Sequence, residues 1–337
     1  PEETGDGLQT ADLVEITTEK TPTEGETQDV LENPTANDEE SNESVDEAEA
    51  EEPGTETVIP EPPGITRPLP EEATSTGRNG HILYGQASDT GMVRSNNQDS
   101  AVSFYYASNT YEELPDFGVF IVADGMGGHK EGEKASSITA TEVMKDIFKT
   151  VFLPMVSGEE MTSERLTIRE ALQQSIQKAN NTVRKEVKDG GTTITAIVVL
   201  GDQAHIGHVG DSRAYVLNPG SEMEQITRDH SVVQRLLELD KINQEEAEQH
   251  EQRNVLYRAI GQNEDVEPDI MRRRLESNTY ILLCSDGLWG IVNDSDMKDI
   301  ILGSENPQEA CNKLIAQANT NGGNDNITAI LLKIPGN

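Results

Sequence analysis

The chain has 337 residues, with 62 acidic against 26 basic side chains and a formal net charge of −36. That balance argues against nucleic acid or an anionic membrane surface as a partner, since both would repel it; it favours cations and proteins with basic patches. Two cysteines, Cys284 and Cys311, make no disulfide framework and no zinc spacing, so a reducing, cytoplasmic setting is expected; no apolar run reaches the roughly 18–20 residues of a membrane span, and no signal peptide is visible.

Residues 1–77 hold 23 of the acids against two bases, Lys20 and Arg67, a local net of about −21, and no Phe, Tyr or Trp. Such a segment cannot bury enough apolar surface to offset its ordering entropy, so a disordered tail or linker is expected. The block DEESNESVDEAEAEE, Asp38–Glu52, would repel itself and extend. PEPPGITRPLP, Pro60–Pro70, has the composition of a semi-stiff spacer. Thirteen threonines among these acids leave two readings: a solubilising spacer, or a kinase target whose phosphothreonines recruit a phosphopeptide-binding partner. The chain opens on Pro1 rather than methionine, as a piece of a longer protein would.

The character changes near Arg78, and residues 78–337, with a net of about −15, are expected to form the folded domain. Phe120–Gly128, FIVADGMGG, is an apolar run that ends on Asp124 and continues into glycines. The run predicts a strand; the glycines predict a tight turn into a helix that opens at Gly132–Ser136. Ala135, Thr139, Val143 and Ile147 recur at helical spacing, as do Leu172, Ile176, Ala179, Val183 and Val187. TITAIVVL, Thr193–Leu200, and HIGHVGDSRAYVL, His205–Leu217, read as strand segments, with Asp211 closing the run HIGHVG. Residues 218–260 are hydrophilic and Glu/Gln-rich. YILLCSDG, Tyr280–Gly287, delivers Asp286 as the first run delivered Asp124. PQEACNKLIAQANT, Pro307–Thr320, is helical in pattern, and NITAILLKI, Asn326–Ile334, is a last strand with Asp325 just before it. Several strands are apolar on successive residues, which implies cover on both faces. Sheets sandwiched by helices fit this order, and so does an open α/β sheet.

With Asp99 in RSNNQD, five acids stand beside or within two residues of Gly or Asn at the ends of apolar strands. Taken singly, each is equally a solvated turn residue. Taken together, clustered carboxylates repel and raise one another's pKa unless a cation holds them. An oxygen-only cluster suits Mg2+ or Mn2+ rather than zinc. Gly125 lets the backbone approach an ion closely, so its carbonyl is a candidate ligand.

The ordered set RSNNQD, VADGMGGHKEGEKAS, GGTT, HVGDSRAYVL, ITRDHS, RNVLYRAIG, LLCSDGLWG and GGNDNIT resembles the metal-dependent protein phosphatases of type 2C, in their bacterial form, over about residues 81–334. The resemblance implies an α+β fold: a four-layer α-β-β-α sandwich of two antiparallel sheets flanked by helices, with a metal site at one edge. It implies hydrolysis of phosphoserine and phosphothreonine in proteins with Mn2+ or Mg2+, two ions per site and a third in bacterial members. Carried over by motif position, Asp124 bridges both metals and the Gly125 carbonyl binds the second. Asp286 and Asp325 hold the first, Asp99 acts on metal-bound waters, and Arg94 grips the substrate phosphate. Asp189, just before GGTT, is the candidate for the third ion, with Asp286 shared. Two ions about 3.5–4 Å apart lower the pKa of a bridging water, and the resulting hydroxide attacks phosphorus in line. Arginine's planar fork suits the phosphate oxygens.

Gln98 stands where many relatives have Glu; it keeps an oxygen and loses the charge. His129 is a candidate proton donor to the leaving serine oxygen, against a surface role. Asp211 fits a hydrogen-bonding support, Trp289 fits packing, and His205, His208 and His230 fit structural roles. Residues 218–260 look like the flap that borders the active site in this family. The expected enzyme is a monomeric cytoplasmic protein-serine/threonine phosphatase that acts on phosphoproteins and opposes Ser/Thr kinases. Its rivals are a catalytically dead binding module on the same fold and a scaffold whose acidic tail is the functional part.

Overall fold

Side-chain alternation along the strands sorts the chain into layers. The computed structural model describes residues 80–107, 114–127, 130–158, 166–218 and 220–336. The readings of residues 1–77 and of His129 lie outside these residues. One antiparallel sheet has the order β1 (Leu83–Asp89), β11 (Ile327–Lys333), β10 (Tyr280–Cys284), β7 (Arg213–Leu217) and β8 (Glu224–Gln225). The second runs β2 (Asp99–Tyr106), β3 (Phe117–Gly127), β5 (Ile194–Leu200), β6 (Gln203–Val209) and β9 (Asp269–Arg274), with β4 (Gly190–Thr192) paired to the end of β3.

In β3, Val119 and Ile121 belong to one core while Phe120 and Val122 belong to another. The same split separates Leu282 and Cys284 from Ile281 and Leu283 in β10, and Ala329 and Leu331 from Ile330 and Leu332 in β11. Phe120, Val122, Ile197, Ile281, Leu283 and Ile330 thus fill the space between the sheets. The outer face of the second sheet packs on α1 (Lys130–Ile147), which continues through a π-helical turn, Phe148–Phe152, into α2 (Leu153–Val156), and on α3 (Ile168–Glu186). Two short helices, α4 (Val232–Glu238) and α5 (Gln244–Glu248), lie in the segment after β8. The outer face of the first sheet packs on α6 (Asp286–Trp289), α7 (Asp294–Leu302) and α8 (Pro307–Thr320) through Leu288, Met297 and Leu314. The result is the expected four-layer sandwich. Strands such as β5, buried along its whole length, read as unbroken apolar runs because helices cover one face and the other sheet covers the second. Each such fully buried aliphatic side chain contributes about 1.5–3 kcal/mol.

Two local readings change. The strand β3 runs on through Asp124 to Gly127, because β4 pairs with its end (Gly125 with Thr192, Gly127 with Gly190), so α1 opens at Lys130 and not at Gly132. HIGHVGDSRAYVL is two strands in different sheets. Gly210, at φ +112° and pressed against Thr193, turns the chain from β6 into β7. Residues 218–260, expected as a flap, hold β8, α4 and α5 and are tied back by bridges from Ser231 to Leu256 and from Thr192 to Ile260. Cys284 and Cys311 are free and buried, as packing residues should be. Among the described residues no helix is long and apolar enough to cross a membrane.

Candidate metal centre

Both sheets send carboxylates to one end of the sandwich. Asp99 opens β2 and stands directly opposite Asp124 in β3. Asp286 follows β10 and opens α6, and Asp325 precedes the neighbouring β11. Asp211 sits at the corner between β6 and β7, where its charge acts on Asp124 and that of Asp286 acts on it.

Protein surrounds these groups, and the electrostatic cost is large. Burial pushes the Asp99 carboxyl up to about 7; the charges of Asp286 and Asp325 push the same way, and the nearby hydroxyls of Thr328 and Ser285 pull back. Burial, then Asp325, pushes Asp286 up to about 6, although it accepts a hydrogen bond from the Asp124 carboxyl. Burial, then Asp99, holds Asp124 well above the ordinary carboxylate range, and burial, then Asp286, does the same to Asp211.

Neighbouring groups fix the orientation of the acids. Ser285 Oγ donates to Asp99 Oδ2 at 2.7 Å, while Asp99 Oδ1 is buried with no hydrogen-bond partner. The Asp124 N–H donates to Thr193 Oγ1 at 2.9 Å, and Thr193 shares a 2.6 Å bond with Ser212. Trp289 Nε1 donates to the Asp211 carbonyl at 3.0 Å. The Trp289 ring carries the Arg213 guanidinium 3.5 Å from its centroid, and Arg213 is forked onto Asp229. Trp289 therefore packs and also positions the Asp211 corner. Gln98 is buried; its backbone N–H donates to Asn326 Oδ1 at 2.8 Å and its Nε2 donates to the Gly127 carbonyl at 3.3 Å. Glu in that place would lose the second donor. At Gly125 a Cβ would collide with the Gly132 carbonyl, so the close backbone approach is real.

The remaining predicted residues are spread around this group. Arg94 is exposed at the rim and bonds Asp325 Oδ2 at 2.6 Å. Asp189 is exposed in the bend ahead of β4, with its carbonyl against Gly127. His208 and His230 are buried, with their rings 4.9 Å apart and tilted by 36°, as structural histidines should be. Among the described residues, no three His, Cys, Asp or Glu side chains already close around one ion position. The carboxylates are neighbours, and Arg94 is the cation that holds Asp325. An unpartnered buried oxygen, several mutually repelling carboxylates and an all-oxygen donor set fit hard divalent cations. Ser285, Thr193 and Ser212 were not singled out from sequence; a serine directly before Asp286, at the end of an apolar strand, was the available signal.

The profile of the protein phosphatase 2C family matches residues 87–327. The chain belongs to that family. It is a metal-dependent protein-serine/threonine phosphatase. The phosphatase is similar to the serine/threonine phosphatase stp of Listeria welshimeri, 34% identical over 245 residues that cover 73% of this chain and 93% of that protein. In structure it is similar to the serine/threonine phosphatase of S. agalactiae, at 33% identity and a TM-score of 0.65, covering 75% of this chain and 100% of that one. It is also similar to the catalytic domain of PstP in complex with two manganese ions, at 30% identity and a TM-score of 0.60, covering 75% of this chain and 98% of that one.

Proposed function

We propose that Asp124, Asp286 and Asp325, with the Gly125 carbonyl, hold the two divalent ions of this phosphatase, Mn2+ or Mg2+, and that Asp99 and Arg94 work beside them. The observation that carries this reading is the meeting of carboxylates from both sheets around the orphaned Oδ1 of Asp99. Two divalent ions supply Lewis acidity there, neutralising phosphate charge and making water acidic. The chain's own groups do the rest. Ser285 pins Asp99 Oδ2, so Oδ1 is the atom that takes or returns a proton. Arg94, at the rim, leaves Asp325 and forks onto two phosphate oxygens. Asp189 serves a third ion, and His129 is the proposed donor to the leaving serine oxygen.

The same reading assigns residues 78–337 as the catalytic domain, residues 218–260 as its flap and residues 1–77 as a spacer, with tail threonines open to a phosphopeptide-binding partner. It places the enzyme in the cytoplasm as a monomer opposing a Ser/Thr kinase; the low cysteine count and acidic balance support the setting. Full-length protein and residues 78–337 should both hydrolyse para-nitrophenyl phosphate when Mn2+ is added, and Asp286→Asn should abolish this. Turnover that ignores Mn2+ or survives Asp286→Asn removes the reading. Turnover lost with residues 1–77 removes the domain assignment.

A further inference from the structure

Arg228, Val232, Arg235, Leu236, Tyr257 and Arg258 line an open groove of about 500 Å3 in the segment between β7 and β9. Arg228 and Arg235 share one carboxylate, Glu238. Arg258 bonds Asp269 at 2.8 Å, and Asp269 also faces His230. Three guanidiniums thus meet two carboxylates, so the groove is basic within a domain whose net charge is about −15. Val232, Leu236 and the exposed ring of Tyr257 give it apolar walls.

The groove is wired to the acid centre at two points. Arg258 stands two residues before Ile260, which exchanges backbone hydrogen bonds of 2.9 and 3.1 Å with Thr192; Thr192 Oγ1 donates to the Asp124 carbonyl at 2.8 Å. Arg258 also touches His230 Nε2 at 3.1 Å, and His230 Nδ1 accepts the N–H of Gly210, next to Asp211.

We propose that this groove receives acidic residues flanking the phosphoserine or phosphothreonine of the protein substrate, so that the phosphatase prefers acidic phosphoproteins. The proposal rests on the phosphatase reading above. Guanidinium forks suit carboxylate and phosphate oxygens, and the apolar walls cover the aliphatic stems of glutamates.

The test uses the Mn2+-loaded full chain and two phosphothreonine peptides of equal length, one flanked by glutamates and one by alanines. The acidic peptide should show a KM lower by about tenfold with kcat unchanged, since one charge-assisted contact is enough for that factor, and the gap should close in high salt. Arg235→Glu, at a side chain 57% exposed, should erase the preference and leave para-nitrophenyl phosphate turnover as in the parent. Equal KM values in the parent overturn the proposal. So does a preference that survives both Arg235→Glu and the Arg228→Gln/Arg235→Gln double variant. If neither peptide is turned over, the phosphatase reading fails, and anisotropy of a labelled unphosphorylated acidic peptide judges the groove separately. Binding lost in Arg235→Glu upholds the groove; no binding overturns it. A concentration-dependent dimer that Arg235→Glu dissolves would make a second copy the occupant, and also overturns it.

Discussion

Asp99 and Asp124 face each other directly across the β2–β3 pair, where like charges destabilise a sheet. Asp124→Asn keeps the shape and removes the carboxyl that burial and Asp99 hold well above its ordinary range, so the folded chain no longer has to carry it protonated or repelled. The metal-free domain should gain stability on the order of 1 kcal/mol, or roughly 2–4 °C in Tm. Activity with Mn2+ should fall by more than about 100-fold, since even changes behind a ligand cost 10–100-fold. Melts in chelator and para-nitrophenyl phosphate assays check both; an active or a less stable variant contradicts the arrangement.

The pH dependence of the metal-free fold has a definite sign. Asp99 and Asp286 titrate at about 7 and about 6 when folded, above the ordinary 3.8, so the folded chain holds their protons more tightly. Their contribution to stability is complete below about pH 4 and is lost as pH rises through about 7. Buried His208, held down at about 3, and His230 act oppositely, losing their contribution as pH falls below about 6.5. Taking the Mn2+-induced gain in Tm at each pH cancels the histidines. That gain should be larger at pH 8 than at pH 5; a flat or reversed trend sinks the expectation.

Arg94 is half exposed, and its pair with Asp325 contributes about 1 kcal/mol or less to folding. Arg94→Ala should therefore leave Tm nearly unchanged while kcat/KM falls by roughly 100-fold, through the loss of charge-assisted bonds to phosphate. Arg94→Lys should restore only part of it, because ammonium lacks the fork. Full rescue by lysine would reduce Arg94 to a bare charge.

Trp289 is the chain's one tryptophan, placed three residues after Asp286 and bonded to the Asp211 carbonyl. Its fluorescence should respond to Mn2+ with a saturating titration, and Asp286→Asn should weaken that response. A signal blind to Mn2+ in an active preparation would place the ions elsewhere.

What could be read from sequence divides along physical lines. The β3, β10 and β11 strands and their terminal acids were legible because strands covered on both faces leave unbroken apolar runs, and α8 was legible from its Pro307–Thr320 pattern. The extension of β3 to Gly127 was not, because it depends on β4, a strand of only three residues. The division of HIGHVGDSRAYVL between two sheets hung on the backbone angle of Gly210. The Arg94–Asp325 pair spans 231 positions and the Ser285–Asp99 bond spans 186, separations that no local pattern records. Acidic side chains in the first turn of α1, Glu131 and Glu133, were the unused signal for its true start.

The acid centre draws Asp99 and Asp124 from one sheet and Asp286 and Asp325 from the other, with Asp211 at the crossing between them. If these acids hold the ions as proposed, a partly folded form with a single completed sheet lacks half of the ligand set. On the proposed assignment, competence for hydrolysis arrives only when the two sheets have docked, a non-local event of the kind that slows folding. In the same terms, half-made or locally melted copies would be idle, and an ion bound at the seam would act as a rivet joining the two halves.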